Sequence, residues 1–124
     1  MNLMTQAAKL LNGVETIQEW LGAGAITVSP EQAQTRANVC IACPKNIKGG
    51  LISASIAEAI RKQVELKNKL NLRVAGEKEL GRCSACLCES RLKIWLPLRN
   101  ILPDESERAN FDHNCWLFRE KDNP

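Results

Sequence analysis

The 124-residue sequence has no tyrosine, two phenylalanines, three tryptophans and a single histidine, His113. With so few aromatics, Leu, Ile, Val and Ala must supply most of the core, and stacking platforms for bases are poorly provided. One histidine leaves acid–base chemistry to carboxylates, and no convergent carboxylate pair is visible. Also missing are H-E-x-x-H, a phosphate loop ending in G-K-[ST], the G-x-S-x-G elbow, and the deaminase pairing of H-x-E with P-C-x-x-C. Gly22-Ala23-Gly24 is a G-x-G without a preceding strand. These absences argue against an enzyme. No apolar run approaches the ~20 residues that span a bilayer. Residues 1–13 lack the basic and continuously apolar regions of a secretory signal, so the expected location is the cytosol or an assembly built there.

The composition is that of an ordinary globular protein, and the length predicts one domain, residues 1–124. A domain of this size buries roughly two-thirds of its unfolded surface, which leaves room for a metal or a partner to add stability. Charge is uneven. Segments 1–43, 44–82, 83–103 and 104–124 carry −1, +5, +2 and −3, within a net +3. A basic middle beside an acidic tail fits either a nucleic-acid face or internal complementarity. Glu58, Glu65, Glu77 and Glu79 interrupt the basic stretch and favour the second.

The periodicity predicts a helical N-terminal segment, 1–38, then a core, 39–118, and a charged tail, 119–124. Ala7, Leu10, Leu11, Val14, Ile17 and Leu21 recur at helical spacing over 4–21, with Gly22 and Gly24 as the stop. Ser29-Pro30 with Gln32 reads as a capping box opening a helix to about Asn38. Residues 44–50 read as a loop. A long helix over 52–71 carries Ile52, Ile56, Ala59, Ile60, Gln63, Val64, Lys67 and Leu70 on one stripe, with Glu58–Lys62 and Glu65–Lys69 as exposed i,i+4 pairs. Alternation of Leu92, Ile94, Leu96 and Leu98 predicts a strand over 91–98, placed at an edge by Pro97. A short acidic helix is predicted over 103–110.

Cysteines carry the chemistry. They run C-x2-C (Cys40, Cys43), then C-x2-C-x-C (Cys83, Cys86, Cys88), then Cys115 just after His113. Two distant C-x2-C pairs are the usual mark of a tetrathiolate knuckle, because a two-residue gap lets both sulfurs reach one ion from a tight turn. Three disulfides are the structural alternative. The absence of a signal sequence and the short local spacings count against them. A redox pair lacks a surrounding βαβ pattern, and an iron–sulfur cluster remains an alternative. The expected ligands are therefore Cys40, Cys43, Cys83 and Cys86, with Cys88 and Cys115 completing or extending the set. His113 is either a further ligand or a surface residue. Four sulfurs hold one Zn2+; six hold two if thiolates bridge. Either leaves the metal site at −2 and lowers the folded charge to about +1. A closed all-sulfur site has no open position for substrate, so zinc would support folding. The expected fold class is mainly α with a small β element, the helices arranged around a zinc-ribbon-like cysteine knuckle.

Several blocks carry a resemblance. They are Trp20-Leu21-Gly22, Ser29-Pro30-Glu31, 36–46 (Arg-Ala-Asn-Val-Cys-Ile-Ala-Cys-Pro-Lys-Asn), Gly76-Glu77-Lys78-Glu79-Leu80, Cys83-Ser84-Ala85-Cys86-Leu87-Cys88, 91–97 (Arg-Leu-Lys-Ile-Trp-Leu-Pro) and Cys115-Trp116. In this order they resemble small, mostly uncharacterised cysteine-rich proteins of tailed bacteriophages and prophages. The resemblance implies a phage origin, a zinc-ribbon-like knuckle and no catalytic residues, with host cytoplasm or virion as the location. The resulting expectation is a zinc-binding structural or adaptor protein working through protein contacts, for which Trp95, Trp116 and Phe118 are candidate contact residues unless they pack in the core. Partners would be phage structural proteins or further copies of the chain. The alternative is a nucleic-acid-binding accessory or regulator using Lys45, Lys48, Arg61, Lys62, Lys67, Lys69, Arg73, Arg82, Arg91, Lys93 and Arg99.

Overall fold

A computed structural model describes residues 15–47, 51–69, 71–85 and 90–123, without the side chains of 51–56. It is mainly helical with one two-stranded sheet, as the sequence predicts at that level. The expected helix over 4–21 is seen as α1, 15–22; its earlier part lies outside the described residues. Its stop is a Schellman motif. Ala25 N–H donates to Trp20 O (2.8 Å) and Gly24 N–H to Leu21 O (3.2 Å), with Gly24 at φ +99° in the position that favours glycine. Trp20 is buried and donates Nε1–H to Ile26 O at 2.8 Å.

Helix α2 spans Pro30–Ala42. Ser29 caps it by accepting from Gln32 N–H at 3.1 Å, and Pro30 takes the first turn. Only half of the capping box forms, since the Gln32 amide instead donates to Glu120 Oε1 at 3.0 Å. The helix runs past Asn38 because that side chain accepts from Gln34 one turn earlier (3.0 Å) and so supports the helix it was expected to end. Its buried face is Ala33, Arg36, Ala37 and Cys40, where three small side chains admit close neighbours beside the long Arg36.

Strand β1 (Asn46–Ile47) lies within the expected loop and pairs antiparallel with β2 (Arg82–Cys83), Asn46 opposite Cys83. Between them runs α3, Leu51–Asn68. Its buried side is Ala57, Arg61 and Val64 with Ile60 half-buried, whereas Ala59, Gln63 and Lys67 of the expected stripe face water; Ile52, Ile56 and Leu70 lie outside the described side chains. Arg61 goes inside because two carboxylates, Glu58 and Glu77, receive it. Neither expected i,i+4 pair forms. Glu58 takes Arg61 and Arg73, the latter at 2.8 Å, and Glu65 accepts from Leu72 N–H at 2.8 Å. Planar guanidinium forks match a carboxylate better than an ammonium does.

A 3₁₀ turn, Glu77–Glu79, follows Gly76 at φ +78°. A Cβ there would stand 2.7 Å from Ile41 Cδ1. Ile41 can yield, but the left-handed backbone cannot be relieved. Gly76→Ala is expected to cost about 1–2 kcal/mol in urea denaturation, and an unchanged midpoint would show that this turn relaxes.

The predicted strand over 91–98 is not one. The segment forms α4 (Ser90–Lys93), a turn, and α5 (Leu98–Ile101). Leu92, Lys93, Ile94, Trp95 and Leu96 are all buried, so period-two spacing marks no face. The backbone finds its partners off any sheet: Arg36 Nη1 donates to Ile94 O (3.0 Å) and Leu96 O (2.7 Å), and Val28 N–H donates to Trp95 O (3.0 Å). The acidic helix is a 3₁₀ turn, Glu105–Asn110, capped by Asp104 accepting from Ser106 N–H at 3.2 Å. The expected charged tail is mostly helix α6, Trp116–Asp122. It buries Trp116, Leu117 and Phe118, the last edge-on to Phe111 with centroids 5.3 Å apart. Trp95, Trp116 and Phe118 thus belong to the core, not to an exposed contact surface.

Candidate metal centre

Three elements bring cysteines together. The end of α2 supplies Cys40, and Cys43 caps it, its N–H donating to Cys40 O at 3.1 Å. The chain then turns into β1: Lys45 N–H points at Cys43 Sγ (3.4 Å) and Asn46 N–H at Cys43 O (3.1 Å). An N–H aimed at sulfur two residues on is the local geometry of a knuckle. The β1–β2 register sets Cys83 across from Asn46, and Ser84 N–H donates to Lys45 O at 2.8 Å. Asn46 ties the second arm down, donating to Glu79 O (2.8 Å) and accepting from Gly81 N–H (3.0 Å). Cys115 is the N-cap residue of α6.

Cys83 acts electrostatically on each of Cys40, Cys43 and Cys115. A charge on Cys83 or Cys43 raises the cost of charging Cys40, and charges on Cys83 and Cys40 do the same to Cys115. Burial pushes the Cys40 and Cys43 thiols above their ordinary value and Cys115 to about 11. Opposing burial at these three sulfurs are Trp116 Nε1–H at Cys40 (3.2 Å), Lys45 N–H at Cys43 and Leu117 N–H at Cys115. The buried Lys93 lowers all three. No disulfide joins Cys40, Cys43, Cys83 or Cys115 to one another.

The sequence-predicted set is thus partly described. Cys40 and Cys43 stand at the end of α2, Cys83 lies opposite Asn46 in the β pair, and Cys115 precedes α6. Cys86 and Cys88 lie outside the described residues. His113 stands in solvent, 86% exposed, with Nδ1 3.8 Å from Asp112. Sequence reasoning missed Trp116 and Lys93 as neighbours of the sulfurs. Only the adjacency of Trp116 to Cys115 hinted at either.

Among the described residues, no three His, Cys, Asp or Glu side chains form a group that could hold a metal ion. Thiols are the donor type that a thiophilic divalent ion prefers, and N–H groups face those of Cys40, Cys43 and Cys115. No family model, curated protein or solved structure matches the chain. Among the described residues no helix is long and apolar enough to cross a membrane.

Proposed function

We propose that this is a zinc-binding structural or adaptor protein, phage-encoded and acting through protein–protein contacts, as a component of a virion or of its assembly. What supports the reading is the placement of Cys40 and Cys43 at the end of α2 and of Cys83 opposite Asn46 in the β pair, with N–H donors at the sulfurs of Cys40, Cys43 and Cys115. Zinc bound by these sulfurs, with Cys86 or Cys88, would supply a crosslink between α2, the β pair and α6. It would supply no reactive position. Contacts would fall to large apolar side chains left in water, among the described residues Leu66, Ile26 and Ile47.

The nucleic-acid alternative has less support. Of its candidate cations, Arg61 and Arg73 are engaged by Glu58 and Glu77, and Lys93 is buried.

Native mass spectrometry of the untagged chain, purified at moderate salt without chelator, tests the proposal. One or two zinc ions on a protein-only species is the expected result. Chains about two mass units lighter per bridge and free of metal would replace zinc with disulfides, and a brown protein would replace it with an iron–sulfur cluster. Retained nucleic acid that dissociates with salt would favour the alternative.

A further inference from the structure

The outer side of α3 is left with charge that its inner side does not cancel. On the inside, Glu58 and Glu77 close on Arg61 and Arg73, two carboxylates against two guanidiniums. Glu65 is held by Leu72 N–H at 2.8 Å. Lys62, Lys67 and Lys69 are exposed, and among the described residues none of them pairs with a carboxylate. Three lysines against Glu65 leave +2 on this face. Amid them stands Leu66, 83% exposed, beside an open hollow of about 460 Å³ lined by Lys62, Glu65, Leu66 and Asn71. Cations in a last helical turn suit the helix dipole, which accounts for Lys67 but not for Lys62. A leucine in water is ordinary by itself. Here it comes with a hollow and with uncompensated charge of one sign, which a complementary surface would satisfy together.

The same chain carries the complement. Half-buried Leu102 and Pro103 lead into the turn Glu105–Asn110. Asp104 and Glu105 are exposed there, Glu107 is half-buried, and Asp122 of α6 is joined to the turn through Arg108 at 3.1 Å. Arg108 and Lys121 are the cations bonded among these four carboxylates, which leaves −2. Size and sign match the lysine face, and among the described residues no ion pair joins the two within one copy. A phosphate backbone would meet the lysines but leave Leu66 in water, and a bilayer would ask for more apolar surface than one leucine. Acids beside apolar side chains meet both needs.

We infer that the outer face of α3 docks on a second copy of this chain, Lys62, Leu66 and Lys67 of one copy against Leu102, Asp104 and Glu105 of the next. This deepens the contact reading above by giving it a partner, and it does not depend on zinc. The experiment is sedimentation equilibrium of the full chain, under reductant so that intermolecular disulfides play no part. It compares wild type, Leu66→Ala, Lys62→Glu/Lys67→Glu, Glu105→Lys/Glu107→Lys and an equal mixture of the two charge-reversed chains. Wild type is expected to self-associate at about 50 mM salt and to weaken about tenfold or more at about 500 mM, where exposed charges are screened. Each reversed chain alone should weaken by about tenfold or more, since like charges then face each other. Mixed, the two should return to within about threefold of wild type, because each reversed face meets its opposite on the other chain. Leu66→Ala should weaken association by about tenfold. Its side chain stands in water, so it decides alone if a reversed chain loses helical circular dichroism.

A wild-type chain that stays monomeric at low salt would overturn this inference. So would association that Leu66→Ala and both reversals leave unchanged, or reversed chains that do not recover when mixed. A monomer that shifts a labelled DNA duplex through the same lysines would give the face to phosphate and overturn it as well. A monomer that holds zinc would leave the functional proposal standing with a different protein partner, and the mass spectrum of the single chain decides that reading separately.

Discussion

Replacing Arg36 with alanine is expected to cost about 3–5 kcal/mol of stability, enough to leave much of the protein unfolded at room temperature. The side chain is 1% exposed. Its guanidinium makes two bonds to Glu120, each 2.8 Å, and two to the carbonyls of Ile94 and Leu96. Removing it strands two backbone acceptors in a chain segment with no ladder to join, leaves a carboxylate half out of water, and opens space under Trp116. Lysine should rescue little, since one ammonium cannot reproduce a planar fork facing three partners. Glu120→Gln should cost only about 1 kcal/mol, because Glu120 is 26% exposed and the carbonyl bonds survive. Chemical denaturation of the three variants decides the matter. An Arg36→Ala chain within 1 kcal/mol of wild type would mean that water replaces the guanidinium.

On the zinc proposal, chelation is the second change with a large expected effect. A strong chelator at neutral pH should lower the thermal midpoint of the loaded protein by about 15 °C or more, with loss of helical circular dichroism, because metal affinity in such sites is folding energy. Cys40→Ser should reproduce the loss without chelator. Cys115→Ser should do so too if α6 is joined through its sulfur, whereas His113→Ala, at a solvent-exposed ring, should change nothing. Zinc must displace thiol protons, so loading should acidify a weakly buffered solution and weaken between pH 7.5 and 5.5. A protein whose melting is the same with and without chelator would remove the centre from the stability argument.

What could be read from the chain depended on whether the signal was local. The Ser29-Pro30 cap and the Gly24 stop are decided by a handful of neighbouring atoms, and both appear where the sequence puts them. The predicted strand over 91–98 failed because its backbone partners are a guanidinium from α2 and an amide from Val28, and no nearby residue announces either. Helix α6 was hidden for a related reason: seven residues have little intrinsic helicity, and Trp116, Leu117 and Phe118 hold it by packing. On α3 both expected lysine pairs are displaced: Glu58 takes Arg61 and Arg73, and Glu65 takes the backbone N–H of Leu72. Among the cysteines, the C-x2-C spacing set Cys40 and Cys43 at one helix end, whereas the antiparallel pairing that puts Cys83 opposite Asn46 has no local signal.

The long sequence separations at this centre have a consequence for synthesis. Trp116 follows its sulfur partner by 76 positions, and Glu120 follows Arg36 by 84. Ribosomes deliver a chain in order, at about 5–20 residues per second. Arg36, Cys40 and Cys43 therefore emerge several seconds before the groups that will enclose them. During that interval the first two thiols are open to oxidants and to stray soft metals, and the guanidinium is still hydrated. Quality of the finished product would then depend on the redox and metal state of the compartment while translation is under way, more than on conditions after release.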